Sequence, residues 1–290
     1  MTALAHLAPA TRQIAIQDDN ERLAFLAEDR WIDYPRANYI LETLDSMINC
    51  PPRTRMPGLL IHGESNIGKS MIIQKFLRKY PPNDFEQGST HLKLDVLAIE
   101  MPAVPQERRL YGQILLTLNA PYRPSDRLAS VELTALNLLG QISPKVIIVD
   151  EIHNLLAGTA REQRAALNLL KFLSNRLHCA IVVLGTQDAV LAMQTDAQIT
   201  SRFPGIELAR WRANETLRGF LAGFERQLPL RKPSRLAESR AIIEAIMSFS
   251  GGVTGRITGL LTKAAKIAIT RKQEAISVDI IKSIAAEVNG

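Results

Sequence analysis

The sequence predicts an α/β fold, a parallel sheet followed by a helical region, on three observations. The stretch Gly63-Glu64-Ser65-Asn66-Ile67-Gly68-Lys69-Ser70 fits G-x-x-x-x-G-K-[ST] at every specified position and lies between the apolar run 58–62 and a helix-like segment, 71–80. A second apolar run, Val146-Ile147-Ile148-Val149, ends in the carboxylates Asp150 and Glu151, as a buried parallel strand does where its C-terminal end meets a ligand crevice. Past Trp211 the pattern is helical throughout.

The chain has 290 residues, 46% of them hydrophobic, enough for one large or two smaller domains with a real core. No apolar run approaches the ~20 residues of a membrane span, and residues 1–20 lack a basic segment followed by an apolar signal core. A cytoplasmic protein without a membrane partner is expected. Cys50 and Cys179, the two cysteines, show no paired metal-ligand spacing. The net charge of +6 fits a polyanion partner, because a basic protein gains by neutralising phosphates and releasing their counterions.

Taken in order, residues 1–29 lack strong punctuation and read as an arm, helical or partly disordered. Residues 30–210 read as the nucleotide-binding domain and 211–290 as a helical domain. Ile40, Leu41, Leu44, Met47 and Ile48 recur at helical spacing until Pro51-Pro52 ends the pattern. Just upstream, Tyr34 and Pro35 stand where a chain often runs beside a nucleotide base; packing of Trp31 and Tyr34 against the domain explains them equally well. After the helix at 71–80, Pro81-Pro82-Asn83-Asp84 reads as a turn and Thr90–Val96 as an alternating strand. Arg108, Arg109, Arg123 and Arg127 surround the helical stretch 110–118 and are the candidate contacts to a DNA backbone, against the plainer reading of a solvated surface. A helical run follows at 161–177, then the apolar strand 180–185 with Thr186 at its polar tip, and a short final strand ending at Leu208. Helices at 215–227, 236–250, 256–271 and 278–288 are separated by Pro229, Pro233 and Gly251-Gly252.

The chemistry follows from these placements. Glycines let a loop turn its N–H groups around phosphate oxygens, and the following helix presents its positive end to the same charge. Gly63, Glu64, Ser65, Asn66, Ile67 and Gly68 would form that cradle, with Lys69 reaching the β- and γ-phosphates. Ser70 and Asp150 would hold Mg²⁺, and Glu151 would orient the attacking water. Thr186 would point its hydroxyl into the same crevice, unless it only caps a turn. Arg202 and Arg256 offer guanidinium groups suited to the charge on a transferring phosphoryl group; if Arg202 serves a neighbouring subunit, catalysis requires an oligomer. His153 follows the carboxylate pair and is assigned no role.

In this order, Gly63–Ser70, Asp150-Glu151, Thr186, Arg202 and Arg256 resemble the Walker A, Walker B, sensor 1, arginine finger and sensor 2 motifs of AAA+ ATPases, across roughly residues 30–288. Some AAA+ proteins carry asparagine at sensor 1, where this chain has Thr186. Within that superfamily, Arg30-Trp31-Ile32-Asp33-Tyr34-Pro35-Arg36-Ala37, the stretch from Met56 through Ile73, and Ser201-Arg202-Phe203-Pro204 look like the TniB transposition ATPases, related to TnsC and MuB. The resemblance implies a five-stranded sheet in the order 5-1-4-3-2 with a C-terminal helical lid. It also implies ATP-driven assembly on double-stranded DNA as rings or filaments, target selection, and recruitment of a DDE transposase, with a target-selection adaptor as a further partner. The rival expectation is a AAA+ loader or remodeller acting on a protein.

Overall fold

The computed structural model describes residues 4–82, 93–193 and 197–289. In chain order the elements are α1 (Pro9–Ala15), α2 (Asp19–Phe25), α3 (Pro35–Ile48), β1 (Gly58–Gly63), α4 (Lys69–Lys79), β2 (Val96–Glu100), α5 (Glu107–Thr117), α6 (Leu128–Ile142) and β3 (Val146–Asp150). A short 3-10 helix, Ile152–Ala157, precedes α7 (Ala160–Leu177), β4 (Ala180–Gly185), α8 (Asp188–Met193), α9 (Ala197–Arg202) and β5 (Gly205–Leu208). The chain closes with α10 (Glu215–Glu225), α11 (Arg240–Ser250), α12 (Thr254–Thr270) and α13 (Val278–Asn289).

Two compact units result. One holds 39–65 and 69–208; the other holds 1–38, 66–68 and 209–290. In the first, five strands run in the order β2-β3-β4-β1-β5, every pairing parallel, which is the order expected from the resemblance. β1, β3 and β4 are buried along almost their whole length, so they read as unbroken apolar runs rather than as alternation. That rule also explains a shifted strand. The alternating residues 93–95 lie outside β2, and the strand is instead Val96–Glu100, whose start is apolar and continuous; residues 90–92 and the turn residues Asn83 and Asp84 lie outside the described residues. The core of this unit gathers the sheet with α5, α6 and α7 through Leu97, Ile114, Leu139, Ile147, Leu170 and Val183, all buried.

The second unit is helical, with Leu217, Phe220, Leu221, Ile246, Ile257, Leu261 and Ile281 at its centre. Residues 4–29 of the segment set apart as an arm by sequence belong here. The Arg22 guanidinium is fully buried, bonded to the Pro229 carbonyl and paired with Glu274 through both Nη atoms, Nη1 at 3.0 Å. Asp19 forms ion pairs with Arg22 and Lys272. A guanidinium so placed must be matched by charge and acceptors, and the partners come from both ends of the chain. Asn214 and Ser239 cap α10 and α11, and the Ser277 hydroxyl accepts from the Ile280 N–H at the start of α13.

Candidate nucleotide site at the C-terminal edge of the sheet

Parallel pairing brings the C-terminal ends of β1, β3 and β4 to one edge, and with them the loop 63–70, Asp150-Glu151 and Thr186. Lys69 opens α4. Its ammonium donates to the carbonyls of Gly63 at 2.9 Å and Glu64 at 3.0 Å. Burial holds its pKa below the ordinary lysine value, while the carboxylates of Asp150 and Glu151 pull the other way. Asn66 and Gly68 adopt φ of 63° and 107°, the left-handed geometry that turns successive N–H groups toward one concavity. A Cβ at Gly68 would meet nothing nearer than 3.9 Å, so glycine is required there by the backbone angle, not by crowding.

Ser70 is exposed and lines a cleft of about 410 Å³ with Gln74, Glu100, Gln113, Ile148 and Asp150. Glu100 faces Asp150 across the β2–β3 register, a neighbour that sequence spacing does not reveal. No group of three or more histidine, cysteine or acidic side chains able to hold a metal occurs among the described residues. A hydroxyl and a carboxylate beside a phosphate cradle fit Mg²⁺, which keeps waters and substrate phosphates in its shell and asks for few protein ligands.

Asp150 Oδ1 accepts the Glu151 N–H at 2.7 Å. Glu151 itself is left-handed, φ 55°, at the turn from β3 into the 3-10 helix. Its carboxylate lies 3.1 Å from His153 Nε2. The Thr186 Oγ1 is buried and meets no hydrogen-bond partner, so the hydroxyl does not cap the α8 turn. Beside it, Gln187 Oε1 and His62 Nδ1 are 3.0 Å apart, tying the polar tip of β4 to the end of β1. Neither His62 nor Gln187 was singled out as a site residue by sequence, and the β1–β4 pairing brings them together.

Tyr34, Pro35 and Arg256 belong to the helical unit, which also holds loop residues 66–68. In the helical unit Tyr34 packs on Trp211, centroids 5.0 Å apart, and edge-on to Phe220 at 5.9 Å; burial pushes its hydroxyl up to about 12. Pro35 is the first residue of α3 and is exposed. Tyr34 thus packs on aromatic neighbours, while its hydroxyl stands 3.9 Å from where a Cβ on Gly68 would be. Also in that unit, the Gly255 N–H donates to the Asn66 carbonyl at 2.9 Å, which sets the first turn of α12, with Arg256 exposed on it, against the residue at the loop tip.

Arg202 stands at the opposite edge of the sheet. Its carbonyl approaches Gly58, where β1 begins, and its Nη2 donates to Ser174 Oγ at 2.7 Å and Asn175 Oδ1 at 2.9 Å. Only 9% of the residue is exposed, and burial, then the nearby Arg55 charge, hold its pKa below the usual guanidinium range. Arg55, itself outside every motif, donates to Ser201 Oγ at 2.9 Å. Arg108 and Arg109 lie on the first turn of α5, whereas Arg123 and Arg127 lie in the segment joining its far end to α6; all four are exposed.

A phosphate-type loop opening α4, a carboxylate pair ending β3 and a five-stranded parallel sheet in this order define a P-loop protein of the AAA+ class. Solved structures with this fold include Aeropyrum pernix ORC1 in complex with DNA, at 16% identity and TM-score 0.62, covering 92% of this chain and 69% of that one. The A. pernix ORC2 protein, in ADPNP-ADP complexes, is 13% identical at TM-score 0.60 and covers 91% and 71%. Cdc6p from Pyrobaculum aerophilum is 14% identical at TM-score 0.59 and covers 90% and 68%. The sequence matches no curated protein. Residues 22–213 match the family described as bacterial TniB protein, and the chain belongs to that family.

Proposed function

We propose that this chain is a Mg²⁺-dependent ATPase that assembles with its own copies on double-stranded DNA, marks a transposition target and recruits a DDE transposase. The observation that carries the reading is the convergence of Lys69, Ser70, Asp150 and Glu151 on one sheet edge in a member of the TniB family. A DNA partner is supported by the net charge of +6 and by the ORC1 relative solved with DNA. No helix of the described residues is long and apolar enough to cross a membrane; we place the protein in the cytoplasm, where ATP and chromosomal DNA are both present.

In this mechanism the N–H groups of 63–68 cradle the phosphates of ATP and Lys69 exchanges its carbonyl acceptors for phosphate oxygens. Mg²⁺ held by Ser70 and Asp150 would neutralise phosphate charge. Glu151 orients the attacking water, and Thr186 supplies a hydroxyl to that water or to a phosphate oxygen. Arg256 meets phosphate charge at the loop tip. Arg202, at the edge away from its own loop, acts on nucleotide bound by a second copy, so that loss of the γ-phosphate loosens the assembly.

The test is the ATPase rate with and without duplex DNA across a salt series, with assembly followed by light scattering. DNA-stimulated hydrolysis with ATP-dependent, salt-sensitive assembly is the expected result. Hydrolysis indifferent to DNA but raised by a protein partner would replace this reading with a loader or remodeller.

A further inference from the structure

The carboxylate of Glu151 sits in an unusual setting for a group that must hold a water in place. It is the end of an exposed side chain, 47% accessible, on a residue whose own backbone is left-handed. Nothing in its own backbone fixes where that carboxylate points, and a three-torsion side chain carries rotamer freedom that has to be removed before it can orient anything. The carboxylate's partner is the Nε2 of His153 at 3.1 Å.

His153 is well placed to supply that restraint. It lies in the first turn of the short helix Ile152–Ala157, which is wedged into the unit by Ile152 and Leu155, both fully buried. Its backbone nitrogen lies against Gly185 at the end of β4, where a Cβ would stand 3.4 Å away. The imidazole is only 28% accessible, and its Nδ1 is buried without a hydrogen-bond partner. With Nδ1 unpartnered, the ring nitrogen that makes a contact is Nε2, and it faces the carboxylate.

We propose that His153 is a positioning residue for hydrolysis, holding the Glu151 carboxylate in the orientation from which it addresses the attacking water. The histidine touches neither phosphate nor metal; it acts through Glu151. This inference rests on the reading of Glu151 as the water-orienting group. It also links the polar tips of β3 and β4, because the turn that carries His153 packs on Gly185, the residue before Thr186.

The experiment measures kcat, KM and equilibrium ATP affinity with duplex DNA present for the full-length chain and for H153A, H153Q, H153N and E151Q. Removing the restraint is expected to lower kcat about tenfold in H153A, as for a group that acts only in the transition state, with KM and ATP affinity unchanged. Glutamine can donate at roughly the reach of Nε2, whereas asparagine is too short, so H153Q is expected to recover most of kcat and H153N little of it. Should H153A be poorly folded by thermal melting, the comparison of H153Q with H153N, two polar side chains of similar kind, still decides. Equal kcat in those two variants, or a loss that appears in KM and ATP affinity instead, would overturn the proposal. E151Q separates the two readings: full turnover in E151Q removes the role of Glu151 and this inference with it, whereas a slow E151Q beside a normal H153A removes the inference alone.

Discussion

The two edges of the parallel sheet carry opposite chemistry and are built in opposite ways. At the C-terminal edge Lys69, Asp150 and Glu151 bring opposite charges together, Ser70 is open, and the loop angles leave space beside Gly68. At the N-terminal edge Arg202 and Arg55 are like charges, and the Arg202 guanidinium is tucked against Ser174 and Asn175. Because all strands point the same way, the run from Gly58 to Gly63 separates these edges by about 16 Å at ~3.3 Å per residue. A guanidinium at one edge cannot serve a phosphate at the other within the same sheet. Parallel topology therefore divides the proposed chemistry between what a subunit does to its own nucleotide and what it offers to a neighbour's.

The largest expected effect tests that division. R202A should lower turnover about a thousandfold, the scale of losing an arginine that stabilises phosphoryl transfer, with ATP affinity retained. Mixing R202A with K69A protein should restore part of the rate; no recovery despite co-assembly would collapse the two edges into one subunit's site. E151Q should slow hydrolysis about a hundredfold, the range of a lost general base, while ATP still binds and the DNA-bound state lasts longer. Normal turnover in E151Q would leave the C-terminal edge a binding site only. K69A should weaken ATP binding about 10- to 100-fold, as expected for losing a hydrogen-bonding charge, and ATP-dependent assembly should fall with it, read by calorimetry and scattering on the same samples.

The smallest effect on turnover is expected far from both edges. Burial raises the Glu274 pKa, but hydrogen bonds from Arg22 and the Arg231 N–H, with their charges, more than offset it, and the carboxyl lies below the usual range. A depressed pKa gives stability that is present above the unfolded value, about 4.3, and is lost as pH falls below it toward the folded value. E274Q should cost about 3 kcal/mol by leaving the buried Arg22 charge short of a partner and should flatten the acid limb of a melting series. Well below the melting temperature, its kcat should match that of the unaltered chain; a large kinetic loss would mean that the ion pair acts on the sheet's edges as well as on folding.

What the sequence made legible was whatever a single segment encodes. The loop 63–70 and the β3 end carry their chemistry in consecutive residues, and the helices of 215–289 carry theirs in a 3.6-residue period, so both could be read without a fold. The helix α6 was missed because leucines at 133, 136 and 138 fill positions between its buried row, Val131, Ala135, Leu139 and Ile142, and its uncharged polar row, Ser130, Thr134, Asn137 and Gln141, and so blur the period. Strand β2 was shifted because residues 90–96 alternate as a half-buried strand does, whereas the strand that forms is the apolar run behind them. Glu100, His62 and Gln187, and Arg55 beside Ser201, are pairings across strands or loops that no spacing records. His153 was visible as a residue and silent as a function, since its meaning lies in a 3.1 Å contact with a side chain two positions away.

The ion pair of Arg22 with Glu274 spans 252 positions and joins α2 to the turn after α12. During synthesis on a ribosome, the sheet unit, complete at Leu208, has all its strands before any helix of 215–289 exists. The helix α2 must wait for a partner made 252 positions later. Until then an arginine destined for burial stays in water, and the helical unit closes as a late, long-range step.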